Sequence, residues 1–194
     1  METIDNKFKE LKATLDQFEV EATNSINAAA NMIVESFNKG NKILTCGNGG
    51  SASDAQHFAA EFVNSFSKTL NRKALPALSL NSDSSVLTAI ANDTQFAKIF
   101  SRQVEAVGKS GDVLVVFTTS GNSENCINAL MTAKQLELNT IVFSQKNRIS
   151  LTLSDIVIAV PSTNTQIIQE CHIVAYHLIA DLVEKYMFTE LNNS

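Results

Sequence analysis

A parallel α/β sheet with helices on both faces is the fold class this chain predicts, and three observations predict it. Five short apolar runs, Lys42 to Cys46, Leu75 to Leu80, Val113 to Phe117, Thr140 to Phe143 and Ile156 to Val160, alternate with segments of helical spacing. A glycine-rich stretch, Gly47-Asn48-Gly49-Gly50, joins the first apolar run to an apolar-periodic segment, which reads as a strand-to-helix turn. The 194 residues, 44% of them hydrophobic, suffice for one substantial core, and no linker divides them.

The elements follow in order. Phe8, Leu11, Leu15, Phe18, Ile26, Ala29 and Ile33 give residues 4–39 a helical pattern, with a break expected between Glu21 and Asn24. A helix of that length needs a partner for its apolar face, so residues 1–39 are expected to be an oligomerisation segment of a single domain spanning 1–194. After the first strand and its turn, a helix carries His57 and Glu61. A further short helix, Val86 to Ala91, precedes Asn92-Asp93. Pro161 closes the last strand, and Thr165 to Leu191 reads as a terminal helix with Ile168, Cys171, Val174, Leu178, Ile179 and Leu182 inward.

Two loops and two helices carry the chemistry. Ligands of parallel sheets sit beyond the carboxyl ends of the strands, where Gly47 to Ser53 belongs, and such turns offer backbone N–H groups and a helix N-terminus to an anion. Thr118-Thr119-Ser120-Gly121-Asn122-Ser123 follows the third run, with Ser123 as N-cap; it reads equally as a phosphate site or an ordinary turn. Neither loop has the Walker lysine or the spaced glycines of a dinucleotide fingerprint. His57 and Glu61, four apart, share one helix face, where they hold a cation or proton together or make a plain solvated contact. On the terminal helix Gln169 and His177 are separated by about 12 Å of rise, so they meet one ion only at full reach or with another chain's help. Glu170 reads as solvent-facing, and His172 as a hydrogen-bonded bundle residue or a chemical group. Asn92-Asp93 either contacts a sugar or ends its helix.

Composition narrows the classes. A net charge of −5 without a basic run argues against nucleic-acid binding. Cys46, Cys126 and Cys171 form no CxxC pair, which fits a reducing compartment. No apolar run reaches membrane-spanning length and the first residues lack a signal-peptide pattern, so a cytoplasmic location is expected.

Cys46 to Ser51, Asp54 to Glu61, Ala91-Asn92-Asp93, Thr119 to Ser123 and Ile168-Gln169-Glu170 leading to His177 together resemble the sugar isomerase (SIS) domain family, most closely its phosphoheptose isomerase branch. The resemblance covers nearly the whole chain. It implies a three-layer α/β/α sandwich with a five-stranded parallel sheet, a homotetramer whose terminal helices form a central bundle, and active sites at subunit junctions. It implies conversion of sedoheptulose 7-phosphate to D-glycero-D-manno-heptose 7-phosphate, feeding bacterial heptose for lipopolysaccharide. It also implies Zn2+ held by His57, Glu61, Gln169 and His177, with Glu61 and His177 as the catalytic acid/base pair. Asn48, Gly49, Gly50, Ser51, Glu61, Asn92, Asp93, Thr118, Thr119, Ser120, Ser123 and Gln169 are then substrate-binding. The chain departs from the family pattern at Ser65 and Ile167, where arginines are usual, which bears on phosphate affinity and sugar choice. Two alternatives stand beside this reading: a non-enzymatic SIS tetramer that binds the replication initiator DnaA, and an isomerase of another phosphosugar. Glu61 and His177, absent from the initiator-binding branch, favour chemistry.

Overall fold

The structure, a computed structural model, describes residues 3–146 and 152–189. Helix α1 (Ile4–Asn38) leads into β1 (Ile43–Gly47), α2 (Gly50–Val63), β2 (Ala77–Ser79) and α3 (Ser84–Asp93). A 3-10 turn at Phe96–Lys98 precedes α4 (Ser101–Val107), β3 (Val113–Phe117), α5 (Glu124–Gln135), β4 (Asn139–Gln145), β5 (Ile156–Val160) and α6 (Thr165–Phe188). The strands form one parallel sheet in the order β2-β1-β3-β4-β5. The chain runs outward from β1 to β2 on one side and to β3 on the other, so the sheet changes direction between β1 and β3. Gly47 pairs with Phe117 in register there, and the two loops named from the sequence leave the sheet side by side.

The alternation of side chains along each strand divides the interior in two. Ile43, Val113, Val115, Phe117, Ile141 and Phe143 pack under α1, α2 and α6, while Leu44, Cys46, Leu114, Val116 and Val142 pack under α4 and α5. The expected three layers therefore arise from strands buried on both faces. An aromatic cluster stiffens the first layer: Phe58 meets Phe62 at 4.9 Å between centroids, and Phe117 stacks on Phe143 at 4.5 Å. Such pairs contribute about 1 kcal/mol each beyond burial.

Three expectations are corrected. Helix α1 runs unbroken through Glu21 to Asn24, because Phe18, Ala22 and Ile26 keep one face buried in the core across it, while Thr23 and Asn27 bond back to the Glu19 and Thr23 carbonyls. On α6, Ile168, Cys171 and Ile179 are buried as expected, but Val174 and Leu178 face outward, 41% and 47% exposed, beside Ile173. The inward stripe is carried instead by Ala175, Tyr176, Ala180 and Val183. Helix α6 is described to Phe188, so the expected end at Leu191 lies outside the described residues.

His172 is the third. It is fully buried between Phe117 and Phe143, and neither imidazole nitrogen has a hydrogen-bond partner among the described residues. Burial pushes its pKa down to about 3. It is a neutral core residue, with no direct part in chemistry. In the unfolded chain the ring takes a proton near pH 6.5, in the fold only near 3. Between these values the unfolded state binds more protons, so stability falls as pH falls. His172→Leu is therefore expected to stabilise the fold by about 1 to 2 kcal/mol at neutral pH, by removing unsatisfied polar atoms, and to flatten the acid limb from pH 6.5 downward. Urea unfolding at pH 7.5 and pH 5 measures both; an acid limb as steep as the wild type's would refute the assignment.

Candidate active site

The first loop is shaped by close approach. A Cβ on Gly47 would strike the Ser51 carbonyl and the Phe117 carbonyl, so the strand end and the first turn of α2 come together only with glycine here. Gly49 adopts φ 57°, ψ −123°, a region essentially reserved for glycine, and turns the chain directly into α2 at Gly50. The Asn81 side chain holds this turn from below: its oxygen accepts the Gly47 N–H at 3.1 Å and its amide donates to Gly47 O at 2.9 Å. Asn48 and Asn125 exchange two amide bonds, 2.9 and 2.8 Å, and so tie the first loop to the start of α5 behind the second. Ser51 is buried, its N–H bonded to Asn48 O.

In the second loop Thr118 is buried and its hydroxyl accepts the Gly121 N–H at 3.1 Å, so that oxygen serves the turn itself. Thr119 and Ser123 are half-buried and Ser120 exposed; Ser123 N-caps α5 without a side-chain cap bond. The turn reading holds for Thr118 and Ser120, whose hydroxyls accept the Gly121 and Asn122 N–H groups. Asn92 and Asp93 are exposed in the last turn of α3, with Asn92 donating to Asp93 at 2.9 Å.

Helices α2 and α6 bring the reactive groups together. His57, Glu61 and His177 each offer a ligand atom, and these lie within 4.8 Å of one another in a single chain. Glu61 Oε1 accepts from His57 Nε2 at 2.8 Å, and the Tyr176 hydroxyl meets His57 Nδ1 at 2.8 Å. A carboxylate only accepts, so without a cation the Nε2 proton faces Glu61; a cation held by Nε2 would take that proton's place, leaving Nδ1–H to donate to the Tyr176 hydroxyl. The His57 and His177 rings stand 5.0 Å apart, edge to face. Two imidazoles and one carboxylate at this spacing are the donor set of a three-ligand metal site that leaves a position for substrate. Gln169, on the same helix as His177, packs its amide against Gly50 so closely that a Cβ there would displace it.

Sequence reasoning missed two neighbours. Tyr176, hidden in the apolar pattern of α6, orients His57, and burial, with the charges of Asp54 and Glu61, raises its pKa well above the usual phenol value, so it stays protonated. Asp54, one turn before His57, is buried with one carboxylate oxygen unpartnered among the described residues. Burial raises its pKa to about 6, against the opposing pull of His57. For His177 burial is again the first cause, aided by His57 and opposed by Glu61, and the pKa falls below the ordinary imidazole value. Among the described residues no helix is long and apolar enough to cross a membrane.

Residues 8–145 match the SIS domain. The chain is 46% identical over 182 residues to the phosphoheptose isomerase of Thermodesulfovibrio yellowstonii, covering 93% of this chain and 90% of that one. It is 45% identical over 189 residues to that of Pelobacter propionicus, covering 95% and 99%. It superimposes on the structure of phosphoheptose isomerase from Neisseria gonorrhoeae with a TM-score of 0.88 and 36% identity, across 94% of this chain and 97% of that one. With similarity that extends over nearly its full length, this chain belongs to the SIS domain family and, within it, to the phosphoheptose isomerases.

Proposed function

We propose that the chain isomerises sedoheptulose 7-phosphate to D-glycero-D-manno-heptose 7-phosphate, with Glu61 and His177 as the acid/base pair. The convergence of His57, Glu61 and His177 carries this reading, set in a chain whose relatives bear the phosphoheptose isomerase name. A ketose-to-aldose conversion takes a proton from C1, leaves an enediolate across C1 and C2, and returns a proton to C2 while the oxygens exchange theirs. Glu61 removes the C1 proton and delivers it to C2; His177, its pKa depressed, moves the proton between the oxygens. Tyr176 holds His57 in one orientation. Ser51, Thr119, Ser120 and Ser123 receive the phosphate without a guanidinium, since Ile167 is buried and Ser65 is uncharged. Asn48, Gly49, Gly50, Asn92 and Asp93 meet the sugar, with Thr118 shaping the turn.

The donor set fits zinc, with His57, Glu61 and His177 as ligands and Gln169, which packs on Gly50, as the fourth by family resemblance. Bound zinc supplies a Lewis acid that polarises the substrate carbonyl. The exposed Ile173, Val174 and Leu178 on the His177 face of α6 support a tetramer with α1 and α6 at its centre and the sites beside its interfaces. Three free, buried cysteines are in keeping with a cytoplasmic enzyme, and its product would feed bacterial heptose precursors.

The test is incubation of the chelated protein with sedoheptulose 7-phosphate, with and without added zinc, followed by NMR. Zinc-restored heptose 7-phosphate is the expected result. No product from the folded, zinc-supplied protein would overturn the substrate assignment and return attention to another phosphosugar or to initiator binding.

A further inference from the structure

We infer that Arg72 and Glu184 form a buried clamp that sets the position of Glu61 relative to His177, making both of them positioning residues for the isomerisation. Arg72 lies in the irregular segment between α2 and β2, and its side chain is wholly buried, as is that of Glu184 on α6. Its Nε donates to Glu184 Oε1 at 2.6 Å. One terminal nitrogen donates to Glu61 O at 2.7 Å, the other to Phe62 O at 2.9 Å and Lys73 O at 3.0 Å. Glu184 in turn accepts the Phe66 N–H at 2.8 Å and the Ser67 N–H at 2.9 Å.

Each bond has a consequence at the site. The last carbonyls of a helix lack partners within it and carry its negative dipole end. Helix α2 has no basic residue in its last turn, and the distant Arg72 fills that role at the carbonyls of Glu61 and its neighbour. Glu184 stands on α6 two turns, about 10 Å, beyond His177. The ion pair therefore bolts the turn that carries Glu61 to the helix that carries His177. Through Phe66 it also fixes a ring that packs against the His177 imidazole at 5.6 Å. A buried ion pair is a poor source of stability, because desolvation offsets its attraction, but with four guanidinium hydrogen bonds and both carboxylate oxygens engaged it dictates one geometry. Reacting groups displaced by about 1 Å lose roughly a hundredfold in rate.

The inference rests on the roles proposed for Glu61 and His177. Glu184→Gln and Arg72→Lys are compared with Val104→Ala, a control that loosens the opposite layer of the core without touching α2 or α6. Readouts are kcat, KM for sedoheptulose 7-phosphate, and the dissociation constant for zinc alone, by competition with a chromogenic chelator. The clamp variants are expected to lose about 10- to 100-fold in kcat and about tenfold in zinc affinity, with KM changed less than about threefold; the control keeps all three values. A folded clamp variant with wild-type kcat and zinc affinity, or a control that loses both equally, would overturn the clamp. Should Glu184→Gln fail to fold, Arg72→Lys, which retains the charge, decides in the same way. A wild-type protein without isomerase activity or zinc binding would instead remove the roles of Glu61 and His177, leaving a different failure.

Discussion

Glu61→Gln is expected to lower kcat by about 1,000-fold while leaving the fold intact. The substitution changes no volume and keeps an oxygen to accept the His57 N–H now held at 2.8 Å. It also leaves untouched the bond from Arg72, which reaches the backbone carbonyl of residue 61. What disappears is the negative charge and with it the capacity to take a carbon-bound proton. The same change replaces a charged metal ligand by a neutral amide, so zinc affinity is expected to fall as well. The measurement is a progress curve with saturating zinc, which separates the two losses: a deficit that zinc cannot repair belongs to proton transfer. Turnover within tenfold of wild type, from a protein with an unchanged circular dichroism spectrum, would remove Glu61 from the chemistry.

The spacing of His57 and Glu61 made their partnership legible before any coordinates, because residues four apart on a helix are neighbours whatever the helix packs against. The sheet was equally legible: strands covered on both faces are written as apolar runs, and all five fall within about two residues of the expected ends. The arrival of His177 was not, since its distance from Glu61 depends on how α6 crosses α2, a tertiary quantity. Its eight-residue separation from Gln169 pointed to a second chain, whereas one chain suffices to bring His57, Glu61 and His177 together. Val174 and Leu178 misled for a related reason: an apolar residue on the outer face of a helix is written like one facing the core. Arg72 carried no signal, sitting in a stretch without periodicity. Glu184 did carry one. It continues the inward row of Tyr176 and Ala180 at four-residue steps, and a charge on such a row asks for a buried partner.

Gly47→Ala is expected to destabilise the protein by about 3 kcal/mol, the upper range for forcing one extra carbon into a packed interior. The added methyl would meet two backbone carbonyls, that of Ser51 in the first turn of α2 and that of Phe117 on the paired strand. Neither is the end of a flexible side chain, so relief requires β1, β3 or α2 to move. Residue 47 cannot slide away either, because the Asn81 amide grips both its N–H and its carbonyl. Movement of α2 would carry Asn48 from Asn125 and shift His57 and Glu61, so kcat is expected to fall even at temperatures where the variant stays folded. Gly49 offers the contrast: a methyl there meets nothing within 4 Å, and its penalty comes from backbone conformation alone. Urea midpoints of the two alanine variants separate these causes, with Gly47→Ala the lower. A Gly47→Ala protein with a wild-type midpoint and wild-type kcat would mean that the strand ends part freely, and that the close contact at Gly47 does not fix the loop that positions α2.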